Sequence, residues 1–406
     1  MKKILSLLIV CFLFLPFFVF ASDDSPEVKE SARGEIRVPD RTFEAGLGAG
    51  AGLVNNVLTF DKLFQKTLIL DIDNLDDGLK ANFCLGFIPL YFKYDSGRGW
   101  GFGFSAGIEE AGVFDFSGET LSLKDGGSGT SDLSMAVFRF VGIDTFFRIQ
   151  EFKIKFRPAV YYTFEYIKLD SFYKQKNTEQ EAQFYIDLNL RNFTAYSLRT
   201  SKLTAEPGAD FSLSVEHPLS KKTGISEKYP ILDFDVGIDF INIPIVSSTI
   251  KSYLETNIVL GSEEPVNVED LISSFLTLTG GTSYVYGESD EKVYRPFKML
   301  VRADWRPSLG RYPLTIIPTI GFSISQFYVE PASIEAGIKA RLDLQNRYIF
   351  TLGTGYYDRL WKNSLDVALN FRAVEFNIGA DLRSSDFVKS WSGYGLGLRV
   401  GFKFGW

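Results

Sequence analysis

Histidine is almost missing from this chain of 406 residues, with His217 standing alone. Membrane hydrolases and proteases usually need an imidazole base. Ser214, Glu216 and His217 are neighbours in sequence, but beside Pro218 this histidine reads as a solvated loop residue, so no catalytic residue is assigned and the chain is not read as an enzyme. Cysteine is nearly as scarce: Cys11 lies in an N-terminal apolar run and Cys84 is alone in the rest. A lone mature cysteine forbids an internal disulfide, and one cysteine with one histidine cannot close a zinc site. Beyond residue 21 no window offers roughly twenty continuous apolar residues, which excludes a helical membrane span. Cationic residues are outnumbered 43 to 50, for a net charge of -7, about -9 once Lys2 and Lys3 are removed, and this disfavours nucleic acid as a partner. No phosphate loop appears, and no cofactor or metal is expected. The glycines at 46, 48, 50 and 52 interleave with apolar residues and no βα pattern follows. Asp71, Asp73, Asp76 and Asp77 lack the glycine position and terminal glutamate of an EF-hand and read as a solvated loop.

Aromatic residues are abundant: 38 Phe and 19 Tyr bring the aromatic share to 15%, as strands and membrane interfaces favour. At the N-terminus Lys2 and Lys3 precede an apolar run from Ile4 to Phe20 that ends at Ala21 before Asp23 and Asp24. Residues 1–21 therefore read as a secretory signal peptide and 22–42 as a polar periplasmic lead. Cys11 follows Leu8, Ile9 and the bulky Val10, and the apolar run continues past it, which argues against a lipidation site.

From Phe43 onward apolar and polar residues alternate. In Tyr394–Trp406 the apolar positions Leu396, Leu398, Val400, Phe402 and Phe404 alternate with Gly397, Arg399, Gly401 and Lys403, which gives a strand with one greasy and one small or cationic face. Similar segments recur along residues 43–406, which predicts an all-β fold, a single antiparallel transmembrane β-barrel. Short helices are expected near residues 61–66 and 268–278. Counting strand directions back from Trp406 gives an inconsistent parity unless one more strand lies in the insertion 242–295, and Ile250–Leu260 is the candidate. The expected count is then sixteen, or fourteen if the glycine-rich first strand and one other lie inside the lumen. Residues 261–296 are expected as an external loop or a luminal plug, with Phe275, Leu276 and Leu278 as plug or ligand contacts.

The polar positions that should face the lumen include Lys153, Lys155, Arg157, Lys298, Arg302, Asp304, Arg306, Glu335, Lys339, Arg341, Asp343, Asp366, Arg372, Glu375, Asp381, Arg399 and Lys403. Spacing leaves open whether these charges merely pair across a solvated lumen or line a pathway. All five tryptophans, at 100, 305, 361, 391 and 406, fall at or just beyond strand ends, where indole rings suit the headgroup region.

The signal peptide, the near-complete cover of alternating strands and the aromatic C-terminal residue Trp406 resemble the spirochaetal outer-membrane barrels grouped with FadL-type long-chain fatty-acid transporters. The aromatic end also resembles the signature read by the barrel assembly machinery. The resemblance implies residence in the outer membrane, contact with its lipid, a fourteen-stranded barrel, and facilitated diffusion of hydrophobic small molecules such as long-chain fatty acids. The lead before the first strand is too short for the N-terminal hatch of that family. A general diffusion porin for polar solutes and a surface-exposed structural or adhesive barrel are the alternative readings.

Overall fold

The structure, a computed structural model, describes residues 42–55, 79–116, 131–177, 183–196, 202–223, 232–261, 279–307, 313–328, 330–344, 347–371 and 373–405. Alternation builds seventeen strands in these segments. They are β1 (Phe43–Asn55), β2 (Leu79–Asp95), β3 (Trp100–Phe116), β4 (Ser131–Ile149), β5 (Phe152–Asn177) and β6 (Gln183–Thr194). Then come β7 (Gly208–His217), β8 (Phe234–Val246), β9 (Ser248–Gly261), β10 (Thr279–Val293), β11 (Phe297–Trp305) and β12 (Leu314–Ile324). The last are β13 (Ala332–Leu344), β14 (Tyr348–Tyr357), β15 (Leu360–Phe371), β16 (Val374–Ser384) and β17 (Gly395–Gly405). The helical elements among the described residues are one turn, α1 (Leu219–Lys222), and a 3₁₀ turn at Lys389–Trp391.

Fourteen of the strands pair antiparallel in a closed ring: β1 to β5 in order, then β7, β8, β11 and on through β17, which pairs back with β1. Closure leaves the wall no unpaired edge. β1 begins and β17 ends at one rim, called the near rim below.

The remaining three strands leave the ring. β5 is 26 residues long and forks: Lys153–Tyr161 pair with β7, whereas Glu165–Asn177 pair with β6. β6 then pairs with β9, and β9 with β10. At the fork the Thr163 amide, which has left one neighbour and not yet met the next, donates to Ser248 Oγ at 2.9 Å. The result is a lip that raises one side of the far rim.

This topology corrects several expectations. The wall has fourteen strands, not sixteen, and β1 belongs to it, paired on both sides. Ile250–Leu260 does lie in a strand, β9, but that strand sits in the lip. The parity defect was real, and its remedy is the removal of β6 from the wall. Within 261–296, Thr279–Val293 is the outer strand of the lip, and residues 262–278 lie outside the described residues. The expected helices at 61–66 and 268–278, and Phe275, Leu276 and Leu278 with them, lie outside the described residues, as do Arg372 and Trp406. β14 and β15 are joined by a two-residue turn at Asp358 and Arg359, whose φ values of 53° and 62° fit a type I′ hairpin.

The wall is inside out relative to a soluble protein. On β12 and β13, Ile320 and Ile334 point outward at 62% and 70% exposure, while Glu335, the next residue along, is fully buried. A belt of outward Ile, Leu, Val and Phe with carboxylates turned inward is the pattern of a sheet whose outer solvent is hydrocarbon. Strands of about eleven residues, at ~3.3 Å each and tilted by ~40°, span roughly 28 Å, about the thickness of a bilayer core. Trp100 and Trp305 lie at the near rim, and Trp361 and Trp391 at the far rim. Trp100 packs on Tyr94, and Trp361 on Tyr356 and Phe387.

Candidate functional site: the lumen

The inward face encloses a cavity of about 690 Å³ that runs from Arg306, Thr315 and Lys403 near the near rim to Phe327, Tyr328 and Leu360 beneath the far rim. Its two ends differ in chemistry because β3, β4 and β5 carry apolar inward residues in their upper halves and the facing strands carry charged ones.

At the far end Val113, Phe138, Phe140, Tyr161, Tyr166 and Phe193 from the wall and lip pack with Ile250, Val293 and Phe327 in one buried cluster. Phe327 comes from the link between β12 and β13, and its ring meets Phe138 at 6.1 Å and Tyr166 at 6.2 Å. Ile88 and Tyr328 pack against this cluster and also line the cavity, so the ceiling of the lumen is apolar.

The lining is otherwise rich in charge of both signs, from Lys298, Asp358 and Lys362 at the far rim to Arg302, Arg306 and Lys403 lower down. Most of these groups sit in ion pairs. Arg399 joins Asp366 at 2.7 Å and Asp381 at 3.2 Å; Arg383 also pairs with Asp381 and reaches Cys84 Sγ at 2.8 Å. Arg383 stands on β16 and Cys84 on β2, with β17 and β1 between. The guanidinium crosses both at Gly397 and Gly52, where any Cβ would collide with it. Lower down, Lys403 meets Glu44 at 3.3 Å and Glu375 at 3.9 Å across the same seam. Arg302 pairs with Glu216 at 3.3 Å and Asp239 at 3.6 Å, and Arg306 with Asp235 at 2.6 Å.

Of the residues expected to face the lumen, Arg157, Arg302, Asp304, Glu335, Arg341, Asp381, Arg399 and Lys403 line the cavity, and so do Lys155, Lys298, Arg306, Lys339 and Asp366. Lys153 lies nearer the rim and pairs with Glu216 at 3.4 Å. Arg341 pairs with Asp343 at 3.8 Å. Arg157 is 8% exposed, and its Nε, like those of Arg306 and Arg341, finds no hydrogen-bond partner among the described residues. A guanidinium held from water without full pairing favours a ligand oxyanion beside it.

At the far rim Asp358 bridges Lys298 at 2.7 Å and Lys362 at 3.0 Å, and its amide donates to Glu335. Desolvation alone would raise the Asp358 pKa, but the two ammonium groups outweigh it and hold the carboxyl well below its ordinary range. His217, expected in solvent, is 16% exposed at the end of β7 and packs on Phe152 with ring centroids 4.5 Å apart. No cluster of metal-ligating side chains occurs among the described residues.

Three groups at the ceiling escaped the sequence reading: Arg295, Glu109 and Asp210. Arg295 lies between β10 and β11, and its fully buried side chain binds Glu109 at 2.8 Å and Asp210 at 3.1 Å. The one sequence hint was the acidic pair Glu109 and Glu110 in a run that is otherwise small and apolar from Trp100 to Phe114, which puts a carboxylate on each face of the sheet.

No protein-family model and no curated protein matches the sequence. Among solved structures, the P. putida toluene transporter TodX aligns with a TM-score of 0.49 at 8% identity, covering 91% of each chain. The monoaromatic hydrocarbon channel CymD aligns at 0.42 and 8%, over 90% of this chain and 89% of that one. The translocator domain of the autotransporter NalP from Neisseria meningitidis aligns at 0.33 and 8%, over 90% and 88%. Likeness at this level adds nothing to the strand pairing already described, and no substrate is carried over from it.

Proposed function

We propose that this chain is an outer-membrane channel that carries hydrophobic molecules bearing an acidic group, long-chain fatty acids among them, by facilitated diffusion. In this reading the near rim is periplasmic, the lip stands on the cell surface, and the apolar belt meets the lipid. The observation that carries it is the two-part lumen: an apolar ceiling takes a hydrocarbon body, and Arg157, on the charged lining, takes an anionic head. Arg157 is the residue assigned to that head, because it lines the cavity, is buried as a whole residue and keeps an unpartnered Nε.

The test is uptake into proteoliposomes of a long-chain fatty acid against the alcohol of equal length. The acid should enter faster, and Arg157→Leu should abolish the difference while leaving alcohol entry in place. Equal entry of the two in the unaltered protein would remove the head-group role. A second reading, a general porin for polar solutes, is favoured by the ion-paired lower lumen. It predicts fast permeation of a small sugar, which the channel for acidic hydrophobes does not allow.

A further inference from the structure

We infer that Arg295 is the clasp of a lid over the far end of the lumen, and that releasing it opens the passage. This rests on the channel reading in so far as an opening matters only to a passage, but the geometry stands on its own. The chain passes from wall to lip at Val246–Thr249 and returns at Val293–Pro296. Both crossings run close to the ceiling: Tyr161 OH lies 3.3 Å from the Val246 carbonyl and 3.2 Å from that of Val293, and Ile250 and Val293 are fully buried in the aromatic cluster. The third part of the lid is the Phe327 link, joined to the returning crossing by the Tyr294 amide, which donates to Gln326 at 3.3 Å.

Arg295 ties this assembly to two wall strands that are neighbours neither of each other nor of β11. Its guanidinium donates to both oxygens of Glu109 on β3 and to both of Asp210 on β7, and stacks on Phe140 at 4.6 Å. None of this is needed for strand pairing: β11 is already hydrogen-bonded to β8 and β12, and β10 to β9. A buried ion triad adds little net stability compared with apolar residues of the same volume, whereas it fixes a position well. Here it fixes the returning crossing against the opposite side of the barrel. A second tie, Lys168 to Glu291 at 2.9 Å, holds the curled lip, since it joins β5 to β10 across the two strands between them. With both ties made, the aromatic cluster lies across the lumen. Without the clasp the crossing is free to withdraw, and the cluster loses Val293 from its centre.

The experiment is single-channel recording of the full chain in planar bilayers. The triple variant Glu109→Gln, Asp210→Asn, Arg295→Gln removes all three charges at nearly constant volume and strands none of them. The unaltered protein should conduct little, and the variant should raise the mean current at least tenfold; a current unchanged from the unaltered protein overturns the lid. If the triple variant does not reach the heat-modifiable state, Phe327→Ala decides, since it removes a ring from the lid and leaves the wall strands untouched. An increased current then supports the lid, and an unaltered one overturns it. Fatty-acid uptake is recorded on the unaltered protein in parallel. Its absence would defeat the transport reading while the comparison of currents still judges the clasp.

Discussion

Asp358 does two jobs with one side chain and one backbone angle. Its positive φ, 53°, forms the tight turn, and its carboxylate holds Lys298 and Lys362. An acid whose folded pKa is depressed adds stability above its unfolded value near ~4 and loses it as the pH falls through the folded value. The tie should therefore persist from neutral pH down to about pH 4 and fail only in stronger acid. Asn tolerates the same backbone angle, so Asp358→Asn removes the charge alone. Because the carboxylate is one-third exposed (34%), its tie is discounted to about 1 kcal/mol. A melting point lower by ~1 °C is expected, with a weaker acid dependence below about pH 4, both read by circular dichroism. On the outer face Leu398 is 53% exposed in mid-strand, where hydrocarbon is the solvent. Leu398→Arg should cost about 2–4 kcal/mol. Refolding into liposomes, scored by gel migration with and without heating, should show assembly impaired, and normal assembly would reverse the assignment of faces. Residue by residue, the charges that face the lumen were legible because alternation has a period of two and needs no knowledge of neighbours. Arg295 was not: it lies between strands, where no periodicity acts, and both its partners come from distant parts of the chain.

At the scale of the element, sequence tells strand from helix well and neighbour from neighbour poorly. β9 was recognisable because Ile250, Leu254 and Ile258 alternate with polar residues, yet nothing in that alternation says whether the strand lies beside β8 in the wall or beside β6 above it. Counting strand directions detected a fault but placed its remedy in the insertion 242–295, adding a strand there where β6 (Gln183–Thr194) had to be taken out of the wall. What decides the matter is the length of β5, which outruns its partner β7 and offers a fresh edge to β6. The consequence is testable. Since β7, β8 and β11 pair with one another without help from the lip, replacing residues 254–286 with a short Gly/Ser linker should leave barrel assembly intact. Heat-modifiable migration of the shortened protein is the measurement, and its loss would show that the lip belongs to the folding unit. The same excision leaves the clasp at Arg295 and both crossings in place.

For the molecule as a whole, the inside-out distribution of polarity was the most legible property, since it follows from alternation together with a run of aromatic strand ends. That the strands close into one barrel was legible too, but the strand order at the fork, the division of the lumen and the ceiling were not, because each depends on which strands meet. Closure also brings together elements remote in sequence: Arg383 and Cys84 are 299 positions apart. Until β17 finds β1, Gly397 and Gly52 are not side by side, and the guanidinium has no bed to cross. The contact therefore forms after the ring has shut and can do nothing to hasten shutting. An interaction made only late slows the reverse step alone. The arginine laid over two glycines acts as a ratchet, one that leaves the rate of assembly unchanged and lengthens the life of the finished barrel. Replacing it with leucine should show this as faster unfolding in denaturant at an unaltered refolding rate.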